Sequence, residues 1–280
     1  MPNYTTADIK ALREKTGAGM MDVKKALDEA GGDPDKALEI IRIKGLKGIA
    51  KREGRATSDG LVAIVVDAGA QPQVGTMVEV NSETDFVAKS PVFVELGAKV
   101  LAAAAAAQVT DVEAILAATT ADGETVAEAV DNQQATLGER IQVRRAAIVR
   151  GDVVTSYLHK TNKDLPPQVG VLVATDQAGA AVAKDIAMHI AAYSPLFLTK
   201  DDVPEQTVAD ERRVAEEIAR NEGKPEQAIP RIVEGRLGGF FKENCLVDQA
   251  FAKDPKQTVG NVLKEAGGTV TAFARFRVGS

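Results

Sequence analysis

Residues 75–89 read GTMVEVNSETDFVAK, and the character of this stretch changes halfway along. Its first part predicts a β-strand, because Val78 and Val80 are β-branched and favour a pleated, half-buried surface. Its second part, Asn81–Asp85, is a polar run whose side chains can bond nearby backbone, which favours a turn. Phe86 follows this run directly. The pattern therefore predicts a strand that ends in a polar turn carrying one aromatic side chain.

The residue type of Phe86 leaves two interpretations open. Phenylalanine is usually buried, so the ring can fill the core under the next helix. Alternatively, the strand and turn form a rigid support that presents the ring to a partner. Aromatic residues make up only 4% of the chain, so the placement of each one is informative.

The composition is that of a globular protein. The 280 residues are enough for about two domains of ordinary size, and 45% of them are hydrophobic. The formal net charge of -6 argues against nucleic-acid binding by the whole surface, although it leaves room for a local basic patch. The single cysteine, Cys245, suits a reducing compartment. Since we recognise neither a secretory signal nor a membrane span, we expect a cytoplasmic protein without membrane contacts.

Residues 1–55 are predicted to form a bundle of three short helices followed by a basic linker. Apolar residues recur there at helical spacing, and glycines separate the runs. Asp33-Pro34 places a capping acid before a proline at the first helical position, which is a strong start signal. The linker, residues 42–55, has three interpretations: a solvated connection, a helix with a basic face for an acidic partner, or an RNA contact. The missing aromatics make the RNA contact the weakest of them.

Residues 56–150 and 151–280 are predicted to form two related halves of an α+β core, each with a strand hairpin, helices and a closing strand. The closing strands are expected at residues 141–149 and 268–278. Val169–Thr175 (VGVLVAT) resembles Val74–Val80 (VGTMVEV). The second half lacks the polar turn and the aromatic after it. If Phe86 were needed only to complete a shared core, it should have a counterpart there, so burial and presentation at the surface become about equally supported.

The second half carries an insertion at about residues 201–254, predicted to be an antiparallel helical hairpin. Pro230 and the pair Gly238-Gly239 are expected to weaken its second helix. Such a hairpin either binds a partner or a second copy of the chain, or packs back on its own domain.

Motifs for covalent chemistry are not recognisable in the sequence. We find no phosphate-binding loop of the Walker type, no nucleophile elbow and no metal-ligand spacing of histidine or cysteine. His189 lies on an apolar helix and is expected to pack in the core. His159 ends a strand before a polar loop and suits a surface contact. Macromolecular recognition without a cofactor is therefore the favoured function.

Five segments together resemble the bacterial elongation factor Ts family, the guanine-nucleotide exchange factors of elongation factor Tu. They are residues 12–27 (LREKTGAGMMDVKKAL), 79–89 (EVNSETDFVAK), 138–145 (GERIQVRR), 189–191 (HIA) and 233–236 (VEGR). The resemblance implies a ubiquitin-associated-like bundle, a two-part core and a helical-hairpin insertion. It also implies an exchange factor that is not an enzyme. The chain departs from the family pattern at Val23 and Pro230.

The resemblance also implies which residues contact elongation factor Tu. The motif that displaces Mg²⁺ in the partner falls on Thr84, Asp85, Phe86 and Val87. Other contacts fall on Met20, Met21, Lys24, Leu137, Gly138 and His159. The rival functions are an adaptor without exchange activity and an RNA-binding protein, each using the bundle and the basic linker.

Overall fold

The computed structural model describes residues 3–16, 18–46, 48 and 52–280. Gly17, in the predicted break after the first helix, and residues 47 and 49–51 of the predicted basic linker lie outside the described residues. The helices are α1 (Thr6–Thr16), α2 (Met20–Glu29), α3 (Pro34–Leu46), α4 (Asp85–Ala88), α5 (Pro91–Ala107), α6 (Val112–Ala117), α7 (Val126–Leu137), α8 (Ala180–Tyr193), α9 (Glu205–Asn221), α10 (Ile229–Asn244) and α11 (Val259–Glu265). The strands are β1 (Asp59–Asp67), β2 (Gln73–Ser82), β3 (Ile141–Gly151), β4 (Val153–His159), β5 (Val169–Thr175), β6 (Ala250–Phe251), β7 (Asp254–Thr258) and β8 (Val270–Arg277).

Helices α1 to α3 form a small bundle around a core of their own, in which Val23 and Leu27 of α2 are fully buried. The Asp33 carboxylate accepts from the N–H groups of Asp35 and Lys36 at 3.0 and 3.1 Å, so it caps α3 as the sequence indicates. The bundle touches the core through α3, because a Cβ at Gly45 would lie 1.9 Å from the Ala135 carbonyl oxygen. Only glycine permits this approach of α3 to α7.

The first sheet has the strand order β1-β2-β3, with antiparallel pairs throughout. Leu61, Val78 and Val80 project from one face of this sheet into a core that also contains Phe93 and Leu96 of α5. Helices α4, α6 and α7 contribute further buried residues to the same core.

The second sheet repeats this plan, with β5 between β4 and β8. Helices α8 and α11 cover its outer face. The two segments that resemble each other in sequence are therefore the central strands, β2 and β5. The observed mixture of helices and antiparallel sheets confirms the predicted α+β class.

The inner faces of the two sheets pack against each other and share one apolar cluster. Val62 and Met77 of the first sheet meet Leu172 and Phe276 of the second. Every residue of β5 is buried, because helices cover one of its faces and the first sheet covers the other.

Helices α9 and α10 form an antiparallel hairpin with its own core, where Ala219 packs near Val233 and Leu237. Helix α10 is continuous through both positions that were expected to weaken it. Pro230 lies in the first turn of α10, where a missing N–H costs nothing, and the helix continues through Gly238-Gly239 to Asn244. The strand pair β6–β7 that follows was not predicted.

The predicted polar turn at Asn81–Asp85 is wrong in its extent. Strand β2 continues to Ser82, and Asn81 and Ser82 are buried residues paired with both neighbouring strands. Backbone pairing on both sides outweighs the turn preference of these side chains. The turn consists of Glu83 and Thr84, and Asp85 already belongs to α4.

Candidate functional site

Phe86 projects into solvent from α4, with 56% of its surface exposed. The next two residues, Val87 and Ala88, are buried in the core under the first sheet. Lys89 lies beside the ring, with Nζ 5.7 Å from the ring centroid and 3.6 Å from the Asp85 carboxylate. The short helix is thus fixed by its inward side chains and presents one aromatic ring outward.

Hydrogen bonds hold both ends of α4. The Thr84 hydroxyl accepts from the Val87 N–H at 3.4 Å, and the Thr84 carbonyl accepts from the Ala88 N–H at 3.1 Å. At the other end, the Ser90 N–H donates to the Val87 carbonyl at 2.9 Å, and Ser90 then caps α5 through the Phe93 N–H. Phe86 therefore lies between two capped turns.

The turn before α4 is tied to the corner that follows α7. Glu139 accepts from the N–H of Thr84 at 3.0 Å and from its hydroxyl at 2.6 Å. In return, Glu83 accepts from the N–H of Arg140 at 2.6 Å. We call these four residues, 83–84 and 139–140, the corner clasp.

Leu137 and Gly138 form this corner. Leu137 is buried at the end of α7, and Gly138 is exposed with φ +77°, a left-handed conformation that glycine adopts without strain. Both residues line a cleft of about 360 Å³ that Gly19 and Asp22 line from the bundle. The predicted contacts at residues 137–138 are therefore brought next to the bundle on one side and the corner clasp on the other.

The three predicted contact residues of the bundle, Met20, Met21 and Lys24, lie on helix α2 and are exposed. Met20 and Met21 expose 59% and 62% of their surface, and Lys24 is exposed one turn later. The opposite face of α2 is buried through Val23 and Leu27. An exposed pair of methionines beside a lysine offers adaptable apolar area together with a positive charge.

His159 is exposed at the end of β4, and its Nδ1 lies 3.1 Å from the Tyr157 hydroxyl. It pairs with Val169, which pairs with Arg277. Just beyond Arg277, a Cβ at Gly279 would lie 2.9 Å from the Ser58 carbonyl oxygen, directly before β1. His159 thus lies at the same end of the packed sheets as Phe86, without a hydrogen bond to the corner clasp among the described residues.

The electrostatics at this end involve several acidic groups. Burial raises the pKa of the Asp59 carboxyl, and the negative charge of Asp85 raises it further. Arg55 lies 3.2 Å from Glu83 and partly offsets the negative charge. Within the ranges that the structure describes, no cluster of histidine, cysteine and acidic side chains is arranged to hold a metal ion.

Sequence reasoning missed the carboxylates of the corner clasp and their arginine neighbours, Arg55 and Arg140. Glu83 was assigned to a polar turn, and Glu139 was only part of a matched segment. Their partners lie 28 to 57 residues away along the chain, so no local pattern pairs them.

Comparison with known proteins gives one consistent family. A family model described as "Elongation factor TS" matches residues 83–280, beginning at the corner clasp. The chain is 68% identical over 282 residues to elongation factor Ts of Beutenbergia cavernae, with both chains fully covered. It is 63% identical to that of Kocuria rhizophila and 62% identical to that of Micrococcus luteus, again over the whole of both chains. No described helix is both long and apolar enough to span a bilayer.

Proposed function

The chain belongs to the elongation factor Ts family, and we propose that this translation elongation factor binds elongation factor Tu carrying GDP and promotes release of the nucleotide. GTP can then bind in place of GDP. We propose that the protein acts in the cytoplasm as an exchange factor and makes or breaks no covalent bond. The observation that carries the proposal is the exposed Phe86 ring on a helix whose neighbouring residues are buried.

The proposed mechanism is mechanical and electrostatic. A GTPase holds GDP through backbone N–H groups at a helix N-terminus and through a Mg²⁺ ion that neutralises phosphate charge. An aromatic ring inserted beside that ion displaces it without replacing its charge, so the nucleotide leaves faster. Phe86 is suited to this role because Val87 and Ala88 anchor the helix behind it.

The exposed face of α2 supplies a second proposed contact. Met20 and Met21 provide apolar area, and Lys24 provides a charge that can steer docking. Leu137 and Gly138 line a cleft with Gly19 and Asp22 of the bundle, and the neighbouring Glu139 binds Thr84 before α4, so we propose that the bundle, this corner and α4 contact the same partner. His159 extends the surface along the same end of the sheets.

Linkage fixes the energetics of exchange. The factor weakens GDP binding by the same ratio by which GDP weakens binding of the factor. A thousandfold weakening requires about 4 kcal/mol of coupling. A few buried anchors at an interface supply free energies of this size, and Phe86 is proposed as the main one.

We predict that Phe86→Ala reduces stimulated GDP release by about 30-fold or more, because truncating an interface anchor costs ~2 kcal/mol or more. The measurement is release of fluorescent GDP from elongation factor Tu as a function of factor concentration. Val65→Ala is the control. It truncates an exposed apolar side chain of the first sheet, and this variant should stimulate GDP release as strongly as the unmodified protein does.

Thermal unfolding must accompany this test. An exposed side chain contributes little to folding, so Phe86→Ala should melt like the parent. Full exchange activity in Phe86→Ala would refute the wedge role. A large loss of melting temperature in this variant would instead assign the ring to the core.

A further inference from the structure

Helix α4 is too short to fix its own orientation. It spans four residues, whereas isolated helices below about 12 residues are marginal in water because nucleation is costly. Its direction, and with it the direction of Phe86, must therefore be set by the contacts at its ends and by its buried face.

The N-terminal end depends on one side chain from a distant part of the chain. The Thr84 hydroxyl caps α4 and donates to Glu139 at 2.6 Å, while the Thr84 N–H donates to the other Glu139 oxygen at 3.0 Å. Both oxygens of one carboxylate therefore bind the capping residue. Hydrogen bonds to an ionised acceptor are about twice as strong as neutral ones.

A reciprocal contact, between Glu83 and Arg140, also joins the turn before α4 to the corner after α7. Glu83 accepts from the Arg140 N–H at 2.6 Å, and its side chain is only 17% exposed. Arg140 donates to the Arg55 carbonyl at 2.6 Å, and Arg55 Nη1 lies 3.2 Å from Glu83. The clasp thus joins three segments: the turn before α4, the corner after α7 and the chain leading into β1.

We propose that Glu139 is a positioning residue for exchange, which fixes the direction of Phe86 through Thr84, with Glu83 as its reciprocal partner. This inference rests on the proposed function of Phe86. Glu139 acts in it without touching the nucleotide site of the GTPase.

The first test uses the free protein and does not depend on exchange activity. In Glu139→Ala, the backbone amides of Val87 and Ala88 should exchange with solvent about tenfold faster by NMR, because the cap loses its two-point anchor. Glu139→Gln keeps the shape and one oxygen acceptor, so it should recover part of the protection.

Glu128→Ala is a matched control for that test. Glu128 accepts from the N–H and hydroxyl of Thr125 at 2.8 and 3.0 Å, so it binds the same two groups of a capping threonine, through one oxygen, at the opposite end of α7. Its removal should leave the amides of α4 as protected as in the parent. Equal protection of α4 in Glu139→Ala and Glu128→Ala would overturn the proposal.

The second test uses the partner. Glu139→Ala should lower the affinity for nucleotide-free elongation factor Tu about tenfold when Phe86 is present, and less than about twofold in a Phe86→Ala background. Additive losses would mean that Glu139 acts independently of Phe86, and the positioning role would be wrong. If the Phe86→Ala variant itself stimulates exchange normally, the wedge role of Phe86 fails, and amide exchange alone then decides whether Glu139 orients α4.

Discussion

The buried ring of His189 is held by hydrogen bonds that fix which of its nitrogens carries the proton. The side chain is fully buried on α8, with Nε2 2.8 Å from the Gln249 amide oxygen. The Ala252 N–H donates to Nδ1 at 3.1 Å, so Nδ1 carries no proton and Nε2 donates. The imidazole stacks on Tyr193 with centroids 4.7 Å apart. This neutral ring joins α8 to the chain on both sides of β6.

We predict that His189 makes the fold sensitive to mild acid. Burial lowers the pKa of its imidazole, and the bond to Gln249 only partly opposes this. The unfolded chain therefore binds a proton more readily, so the stability contributed by the neutral ring is present above about pH 6.5 and is lost as the pH falls below that value. The loss is at most about 1.4 kcal/mol per pH unit for one group.

Urea unfolding between pH 7.5 and 5.5 measures this effect. His189→Gln should be less stable at pH 7.5 and should show a flatter dependence on pH. His159→Gln, which changes the exposed histidine, should keep the slope of the parent. Identical slopes for the parent and His189→Gln would show that other groups cause the acid sensitivity.

Single residues also show where sequence reasoning stops. The missing counterpart of Phe86 in the second half weakened the expectation of burial that residue type alone gave, and the ring is in fact exposed. Glu79 looks like a surface residue of β2, yet it is buried and its carboxylate binds Arg145 Nε at 2.7 Å. Arg145 entered the sequence analysis only as the last residue of the matched segment 138–145. A pair 66 positions apart leaves no periodic signal to detect.

At the scale of elements, long segments with capping signals were predictable and very short ones were not. Asp33-Pro34 marked the start of α3, because capping chemistry is local. Helix α4 and strand β6 span four and two residues, which is too short for a hydrophobic period to appear. Their structure depends on contacts with distant segments, such as the one between Thr84 and Glu139.

The hairpin of α9 and α10 has a groove on one side that is lined by both apolar and charged residues. Val214 and Ile218 are exposed there at 40% and 38%, next to Phe240 of α10. Self-association through this hairpin stays a prediction.

We predict that Gly235→Ala stabilises α10. Gly235 is exposed, has no atoms near the position of an added Cβ and has ordinary helical geometry. Alanine in a helix interior is favoured over glycine by about 1 kcal/mol. The urea midpoint should therefore rise with an unchanged slope, and a lower midpoint would mean that the glycine is required for packing in the hairpin.

The whole molecule is held together by the contact between the two sheets. Each half has an outer core under its own helices, but the inner cluster around Met77 and Leu172 belongs to both. The sequence repeat indicated two halves, and the continuous apolar run of β5 is typical of a strand buried on both faces. The sequence pattern does not show which surface covers the second face of β5, because that depends on contacts between segments far apart along the chain.

Gly170 provides the test of this contact. A Cβ there would lie 2.4 Å from Val62 Cγ1 and 2.9 Å from the Met77 sulfur, and both of these residues belong to the opposite sheet. Gly170→Ala should therefore destabilise the protein by about 1–3 kcal/mol, the usual cost of overpacking a core. In an ordinary strand, alanine is more favourable than glycine, so crowding between the sheets is what would make this substitution unfavourable.

The same urea measurements that test Gly235→Ala also test Gly170→Ala, and the two variants are expected to move the midpoint in opposite directions. Both add one methyl group in place of a glycine hydrogen, at one crowded position and one open position. Both substitutions replace glycine with alanine, so the effect of glycine on the conformational entropy of the unfolded chain is the same in each and cancels when the two midpoints are compared. A midpoint for Gly170→Ala at or above that of the parent would mean that the sheets separate at little cost, and the halves would then be expected to unfold independently.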